Sequence, residues 1–444
     1  MLVSSLDKIV LPYNFTEREY QRPIFETDKK KIVLVWSRRS GKTLTLWNHA
    51  IYRALQTPGE YHYMFPTFSQ ARTVIWDNWE MQACVPQSLV EKKNETMMYY
   101  RFKNGSKLQL VGGDNWERLR GTGPIGVTLD EYSEMKAEVY STLYGPILLQ
   151  NKGWLAAGFT PKGQNHSFEL YNKAVQNPEE YFVHKMKASE NPYFEKEDLA
   201  KEKERTTEAI YNQEYEVEFL ASGIEVFKNV DDCLWEGDLT PNPLHQYKMG
   251  VDLAKYNDWT VLTPVDLTTL HVGKQERFNR IDYDIQEAKI ETAFFKWNKP
   301  RMTIDATGVG TPVVDHLKAR LGRKHGVMLE PFIFTENSRM ELLQNLALLF
   351  EQDKIRIPND PQLLSELKAF RWSLRFSGKN FLNRRLVMEV PNGCHDDSVM
   401  SLALALYGIK DKVKTRYASA AAKELADYQK YALAKSGTRV FDRI

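Results

Sequence analysis

The run Ile32-Val33-Leu34-Val35-Trp36, followed at once by Ser37-Arg38-Arg39-Ser40-Gly41-Lys42-Thr43, leaves a chain few choices. A short apolar run that stops at a polar, glycine-containing turn is a buried strand. The pattern from 42 to 56 is helical. Strand, tight loop and helix together point backbone N–H groups at an anion, and the helix adds its positive N-terminal end. In such a cradle Lys42 reaches the terminal phosphates of a nucleotide, and the Thr43 hydroxyl holds Mg²⁺. Trp36 stands where the general G-x-x-x-x-G-K-[ST] pattern has its first glycine.

A second segment supplies what a phosphate cradle needs. Ile125-Gly126-Val127-Thr128-Leu129 is apolar and ends in Asp130-Glu131. Asp130 suits a carboxylate behind Mg²⁺, and Glu131 suits a base that orients an attacking water. Alone, such a pair is as readily a strand cap. Arg120 precedes this strand in Leu119-Arg120-Gly121, a loop able to set a cation against a transferring phosphate. Gln21 lies just upstream of the first strand, where an amide matches the edge of adenine. Strand patterns at 32–36, 61–65, 107–111, 125–130 and 154–159 alternate with helical ones at 42–56, 68–82 and 135–149. That alternation predicts a parallel, doubly wound α/β sheet.

The second half carries acidic motifs. Asp252 ends the run Met249-Gly250-Val251, Asp258 follows at the next turn, and Asp305 ends Met302-Thr303-Ile304. Asp396 and Asp397 open a helix after Gly393-Cys394-His395. Carboxylates that converge repel unless cations intervene, and oxygen-only ligands favour Mg²⁺ or Mn²⁺. Two such ions about 4 Å apart can cleave a phosphodiester. His395 is equally suited to orienting a water or to packing at the helix end. The segment 372–390 reads as a hairpin in which Arg371, Arg375, Lys379, Arg384 and Arg385 interleave with Phe370, Trp372, Phe376 and Phe381. It suits a grip on a DNA backbone, and it suits a half-buried strand pair with solvated arginines almost as well.

Composition narrows the class. With 444 residues, two domains are expected. Net charge is only +2, so any DNA contact must come from local basic patches. Three scattered cysteines and no long apolar run predict a soluble, cytosolic protein without disulfides. The chain divides into an α/β nucleotide-binding domain at 1–188, a charged helical linker at 189–225, a mixed α/β domain at 226–412 and a basic tail at 413–444.

Read together, these motifs resemble the large terminase subunit of tailed bacteriophages, over about residues 15 to 410. The adenine motif matches Tyr20-Gln21. The phosphate loop of that family carries arginine, as Ser37 to Thr43 does, with Arg38 or Arg39 sensing the γ-phosphate. The resemblance makes Asp130 and Glu131 the metal-binding and catalytic acids and makes Arg120 an arginine finger given to a neighbouring subunit. In Gly158-Phe159-Thr160-Pro161 it makes Thr160 the sensor that couples hydrolysis to movement. It implies an ASCE-type P-loop ATPase followed by an RNase H-like nuclease with Asp252, Asp305 and Asp397, beside Asp396, as metal ligands. It also implies ATP, Mg²⁺, double-stranded DNA, a portal protein, a small terminase subunit and a ring of about five copies. The site of action would be the host cytoplasm, with docking at the procapsid portal and absence from the mature virion. The alternative is a cellular helicase-nuclease of repair or restriction. That class ordinarily needs a second motor-like domain, and 226–410 holds no second cradle.

Overall fold

A computed structural model describes residues 15–254, 258–308, 310–376, 384–391 and 393–409. The N-terminal residues 1–14, most of the 255–258 turn, Lys379, Phe381 and the basic tail lie outside the described residues. Two compact units emerge. One ends at Val226 and takes in Arg371–Glu389; the other runs from Phe227 to Phe370 and resumes at Val390.

The first unit is built on an eight-stranded sheet. In chain order its strands are β1 (Lys31–Trp36), β2 (Glu60–Phe65), β3 (Val90–Asn94), β4 (Tyr99–Phe102), β5 (Lys107–Gly112), β6 (Gly126–Asp130), β7 (Trp154–Phe159) and β8 (Tyr181–Met186). Their spatial order is β3-β4-β5-β2-β6-β7-β1-β8, parallel from β5 to β8 and antiparallel through β3 and β4. The period of two along β1 divides its side chains. Ile32, Leu34 and Trp36 enter one hydrophobic core, and Val33 and Val35 enter another on the opposite face. Burial on both faces is why the strand is continuously apolar. Three strands were not expected from the sequence. Val90–Asn94 carries no apolar run and none of its residues is buried, because an edge strand needs little apolar surface.

Two expected helices are broken. The stretch at 68–82 becomes Phe68–Ala71, a π-turn Arg72–Trp76, and a new helix Trp79–Ala83 capped by the Asn78 side chain. The stretch at 135–149 becomes a π-turn Val139–Tyr144 and then Gly145–Gln150, where Pro146 can serve only a first turn. The linker forms two helices, Lys196–Arg205 and Glu208–Glu214.

The second unit holds a small parallel pair, β9 (Leu234–Trp235) with β15 (Ile357–Pro358), and a five-stranded mixed sheet. In the latter, β10 (Tyr247–Asp252) lies antiparallel to β11 (Thr260–Asp266), which pairs with β12 (Glu276–Phe278). On its other side β10 runs parallel to β13 (Arg301–Asp305), which pairs with β14 (Leu329–Phe332). The helix Asp397–Leu406 closes over β10 with all ten residues buried. Gly250 permits this, since a Cβ there would lie 1.9 Å from Ser401 O.

The hairpin β16 (Arg371–Phe376) and β17 (Arg384–Glu389) packs with the first unit, whereas the sequence reading assigns it to the 226–412 domain. Trp372 N donates to Ile224 O at 2.8 Å, and a Cβ on Gly163 would meet Leu374 and Leu386. An amphipathic strand pair has one apolar face, and its sequence does not say which core receives it.

Candidate functional sites

The phosphate loop forms as the sequence requires. Arg39 and Gly41 take left-handed backbone angles, φ 59° and 77°, and the helix Lys42–Gln56 follows. The N–H groups of Ser37 and Arg38 are taken by Met186 O and Glu214 O, at 3.0 and 3.1 Å, so an anion would meet the N–H groups that follow, toward the helix start. Ser37 and Ser40, both buried, share a hydrogen bond at 2.6 Å that closes the loop. The Lys42 stem passes against β7, where Gly158 leaves room for it.

Lys42 is buried, and its Nζ lies 3.0 Å from Glu131 Oε1 and donates to Thr160 Oγ1 at 3.1 Å. Thr160 donates in turn to Trp36 O at 3.0 Å. Strand order explains the meeting, since β6, β7 and β1 are neighbours and end together. Asp130 is fully buried and accepts from the Tyr63 hydroxyl at 2.8 Å through Oδ2, while Oδ1 has no hydrogen-bond partner among the described residues. Burial and then the Glu131 charge push the Asp130 carboxyl up to about 6, against the pull of Lys42 and the nearby Thr43 hydroxyl. Glu131 sits at φ 60°, a strained angle for a residue with a side chain.

The other expected nucleotide residues are more dispersed. Gln21 is buried beneath the loop, its amide donating to Thr45 Oγ1 at 2.8 Å and accepting from Arg18 N at 2.9 Å. Arg38 is exposed and paired with Glu214 at 3.5 Å, and Arg39 makes no ion pair with a described residue. Arg120 is exposed on its own loop and lies over the Trp116 ring at 5.2 Å.

In the second unit three remote stretches converge. β10 and β13 are parallel neighbours with Val251 opposite Ile304, so Asp252 and Asp305 end adjacent strands. The closing helix brings Asp397 to the same edge. Asp252 is raised well above the usual carboxylate range by burial, then by the charges of Asp305, Asp397 and Asp396. Asp305 is raised by burial and accepts from Thr307 N at 2.8 Å. Asp397 is pushed up to about 6, chiefly by burial, and accepts from Trp259 N at 3.3 Å. Asp396 is held instead by Arg339, with Nη2 to Oδ2 at 2.5 Å.

Sequence reasoning had not counted Asp258 as a ligand. Asp258, His395 and Asp397 each place one ligand atom within 4.8 Å of the other two. His395 is exposed and its Nδ1 lies 3.7 Å from both carboxylates, an arrangement that suits the polar role. The only signal was the turn after Asp252. The hairpin arginines are partly engaged, Arg371 with Glu225 at 3.3 Å and Arg375 with Glu389 at 2.6 Å.

A cradle and a carboxylate cluster on one chain can be compared with known families. The model described as "Terminase large subunit, T4likevirus-type, N-terminal" matches residues 33–231, and "Terminase RNaseH-like domain" matches 249–384. The chain belongs to the phage large terminase family. It is 26% identical to the terminase large subunit of Thermus phage G20c, and 27% identical to that of Thermus virus P23-45, over 90% of this chain and 89% of each relative. The solved large terminase of a thermophilic bacteriophage shares the fold at a TM-score of 0.59 and 14% identity, covering 88% of this chain and 98% of that one. This terminase is therefore a packaging protein with an ATPase half and a nuclease half, and not a cellular helicase-nuclease.

Proposed function

We propose that Ser37 to Thr43 hold the phosphates of ATP, that Glu131 orients the attacking water, and that Asp252, Asp305 and Asp397 hold the metal of a DNA-cutting site. The observation that carries the reading is the convergence of these last three carboxylates, each from a different strand or helix end, at one edge of the second sheet.

Both sites suit divalent metal. Asp130 offers a buried, unpartnered oxygen behind Thr43, and the second site offers a set of mutually repelling oxygens. Bound Mg²⁺, or Mn²⁺ in the nuclease, supplies charge neutralisation and a more acidic water. The chain does the rest. Lys42 is held by Glu131, so arriving phosphates compete for the lysine and release the glutamate to position water. Thr160 touches both Lys42 and the end of β1, which suits a sensor of phosphate occupancy. Arg120 is exposed and makes no ion pair with a described residue, as a group offered to a neighbouring subunit must be. Gln21 supports the loop from below, and Arg39 is freer than Arg38 to meet the γ-phosphate. In the nuclease, Asp397 keeps lone pairs free, whereas Arg339 occupies Asp396, so Asp397 is the main ligand of the pair.

Family membership supports the wider reading. The protein works as a ring, of five copies, on the portal protein of a procapsid, and a small terminase subunit selects the double-stranded DNA it moves and cuts. It acts in the host cytoplasm and leaves before the virion matures. Among the described residues no helix is long and apolar enough to cross a membrane. Two variants test the residue roles. Glu131→Gln should lose DNA-stimulated ATP turnover by about 100-fold or more while plasmid nicking with Mn²⁺ survives. Asp305→Ala should do the reverse, and undiminished nicking by it refutes the nuclease assignment.

A further inference from the structure

We infer that Glu366 is a positioning residue of the nuclease site: from a separate helix it caps the helix that bears Asp397, and so keeps that carboxylate facing the metal. The inference rests on the metal reading above.

The helix Asp397–Leu406 has no cap of its own. Its N-cap residue, Asp396, makes no capping hydrogen bond, because Arg339 holds its side chain. The first helical bond runs from Met400 N to Asp396 O at 2.8 Å. The N–H groups of Ser398 and Val399, both fully buried, therefore have no partner within their own helix. Glu366 Oε2 accepts from both, at 2.8 and 3.3 Å. Glu366 lies on the helix Pro361–Ala369 and is itself 3% exposed.

Its second oxygen is fixed as well. Gln362, one turn back on the same helix, donates to Glu366 Oε1 at 2.9 Å, and Arg277 Nη1 lies 3.4 Å away. The Arg277 guanidinium sits 5.2 Å over the Trp259 ring, and the Trp259 N–H donates to Asp397. Asp397 is thus set from two sides, by its helix start and by the Trp259 backbone. Both lead back to the Glu366–Arg277 pair.

A carboxylate suits this position because it satisfies two donors at once and meets the positive helix end. Without it, Asp396 is the anion best placed to cap the vacated N–H groups. Such a swing would break the Arg339 contact and turn the first helical turn, with Asp397, away from Asp252 and Asp305.

The test uses the full-length protein with three variants, Glu366→Ala, Glu366→Gln and Asp305→Ala. Hydrogen exchange at 397–400 is followed without metal, and Mn²⁺ affinity is measured by electron paramagnetic resonance. ATP turnover reports folding of the first unit, and a thermal melt reports the second. Glu366→Ala should exchange faster and bind Mn²⁺ about tenfold more weakly, the usual effect of losing a group that orients a ligand. Glu366→Gln keeps the acceptor and should restore exchange protection and most of the affinity. Wild-type Mn²⁺ affinity in the alanine variant overturns the inference. Should the alanine variant melt early, the glutamine variant decides: an Mn²⁺ loss as large as in Asp305→Ala overturns capping. A wild-type protein that binds no Mn²⁺ refutes the metal reading first, and the inference with it.

Discussion

Gly250→Ala is a one-methyl test of how the nuclease site is assembled. A Cβ at 250 would sit 1.9 Å from Ser401 O, 2.4 Å from Ala405 N and 3.0 Å from Ala405 Cα. All three are backbone atoms of the closing helix, so no rotamer change relieves the clash. The helix must retreat by about 1.5 Å to reach ordinary contact. It is tied down where it must move. The Ser401 hydroxyl donates to Gly250 O at 3.1 Å or to Val261 O at 2.9 Å, and lies 2.7 Å from Thr263 Oγ1. Overpacking of this kind costs about 1–3 kcal/mol, and a lost buried hydrogen bond adds about 1 kcal/mol. The total of roughly 2–4 kcal/mol weakens a unit of ordinary stability without unfolding it. Catalysis should suffer more, because a displacement of ~1 Å at a metal ligand costs on the order of 100-fold. Plasmid nicking with Mn²⁺ gives the readout, with ATP turnover in the same preparation as the control. Nicking within about threefold of wild type would refute the claim that this helix contact sets Asp397 against Asp252.

Two further expectations concern charge. Asp397 titrates near 6 when folded against 3.8 when unfolded, so the folded state holds its proton more tightly. That contribution is fully present below pH 3.8 and is lost as pH rises through about 6, on the order of 3 kcal/mol in chelator. Denaturation of wild type and Asp397→Asn across pH 4–7 should show the smaller fall in the asparagine variant, and equal slopes would refute the assignment. Arg120→Ala should lower ATP turnover by about a thousandfold with nucleotide binding intact. An equimolar mixture with Glu131→Gln should regain turnover, since each subunit lends what its neighbour lacks; a mixture that stays inactive rules out donation between subunits.

The motor site was largely legible because its parts are local. A loop, its strand and its helix are contiguous, and Asp130 ends a strand whose apolar run announces it, with Glu131 the next residue. What the sequence left open there was contact: Arg38 against Glu214, and Gln21 turned to Thr45 beneath the loop. In the nuclease half each aspartate was visible, yet Asp258 was passed over, and Arg339 and Glu366 carried no signal at all. Their roles depend on which helix end they meet, and spacing along the chain does not encode that.

The amino-acid sequence by itself determined the period of each strand and the loop that must bend through Gly41, because those depend on neighbours a few residues apart, and the order of such local motifs along the chain marked its family. The tertiary structure decided which carboxylates share one edge, which core receives the hairpin at 371–389, and which oxygen of the Asp396 and Asp397 pair stays free. These depend on close approach between segments up to about 150 residues apart, such as the Ser401 backbone on Gly250, where a single methyl group is enough to forbid the contact.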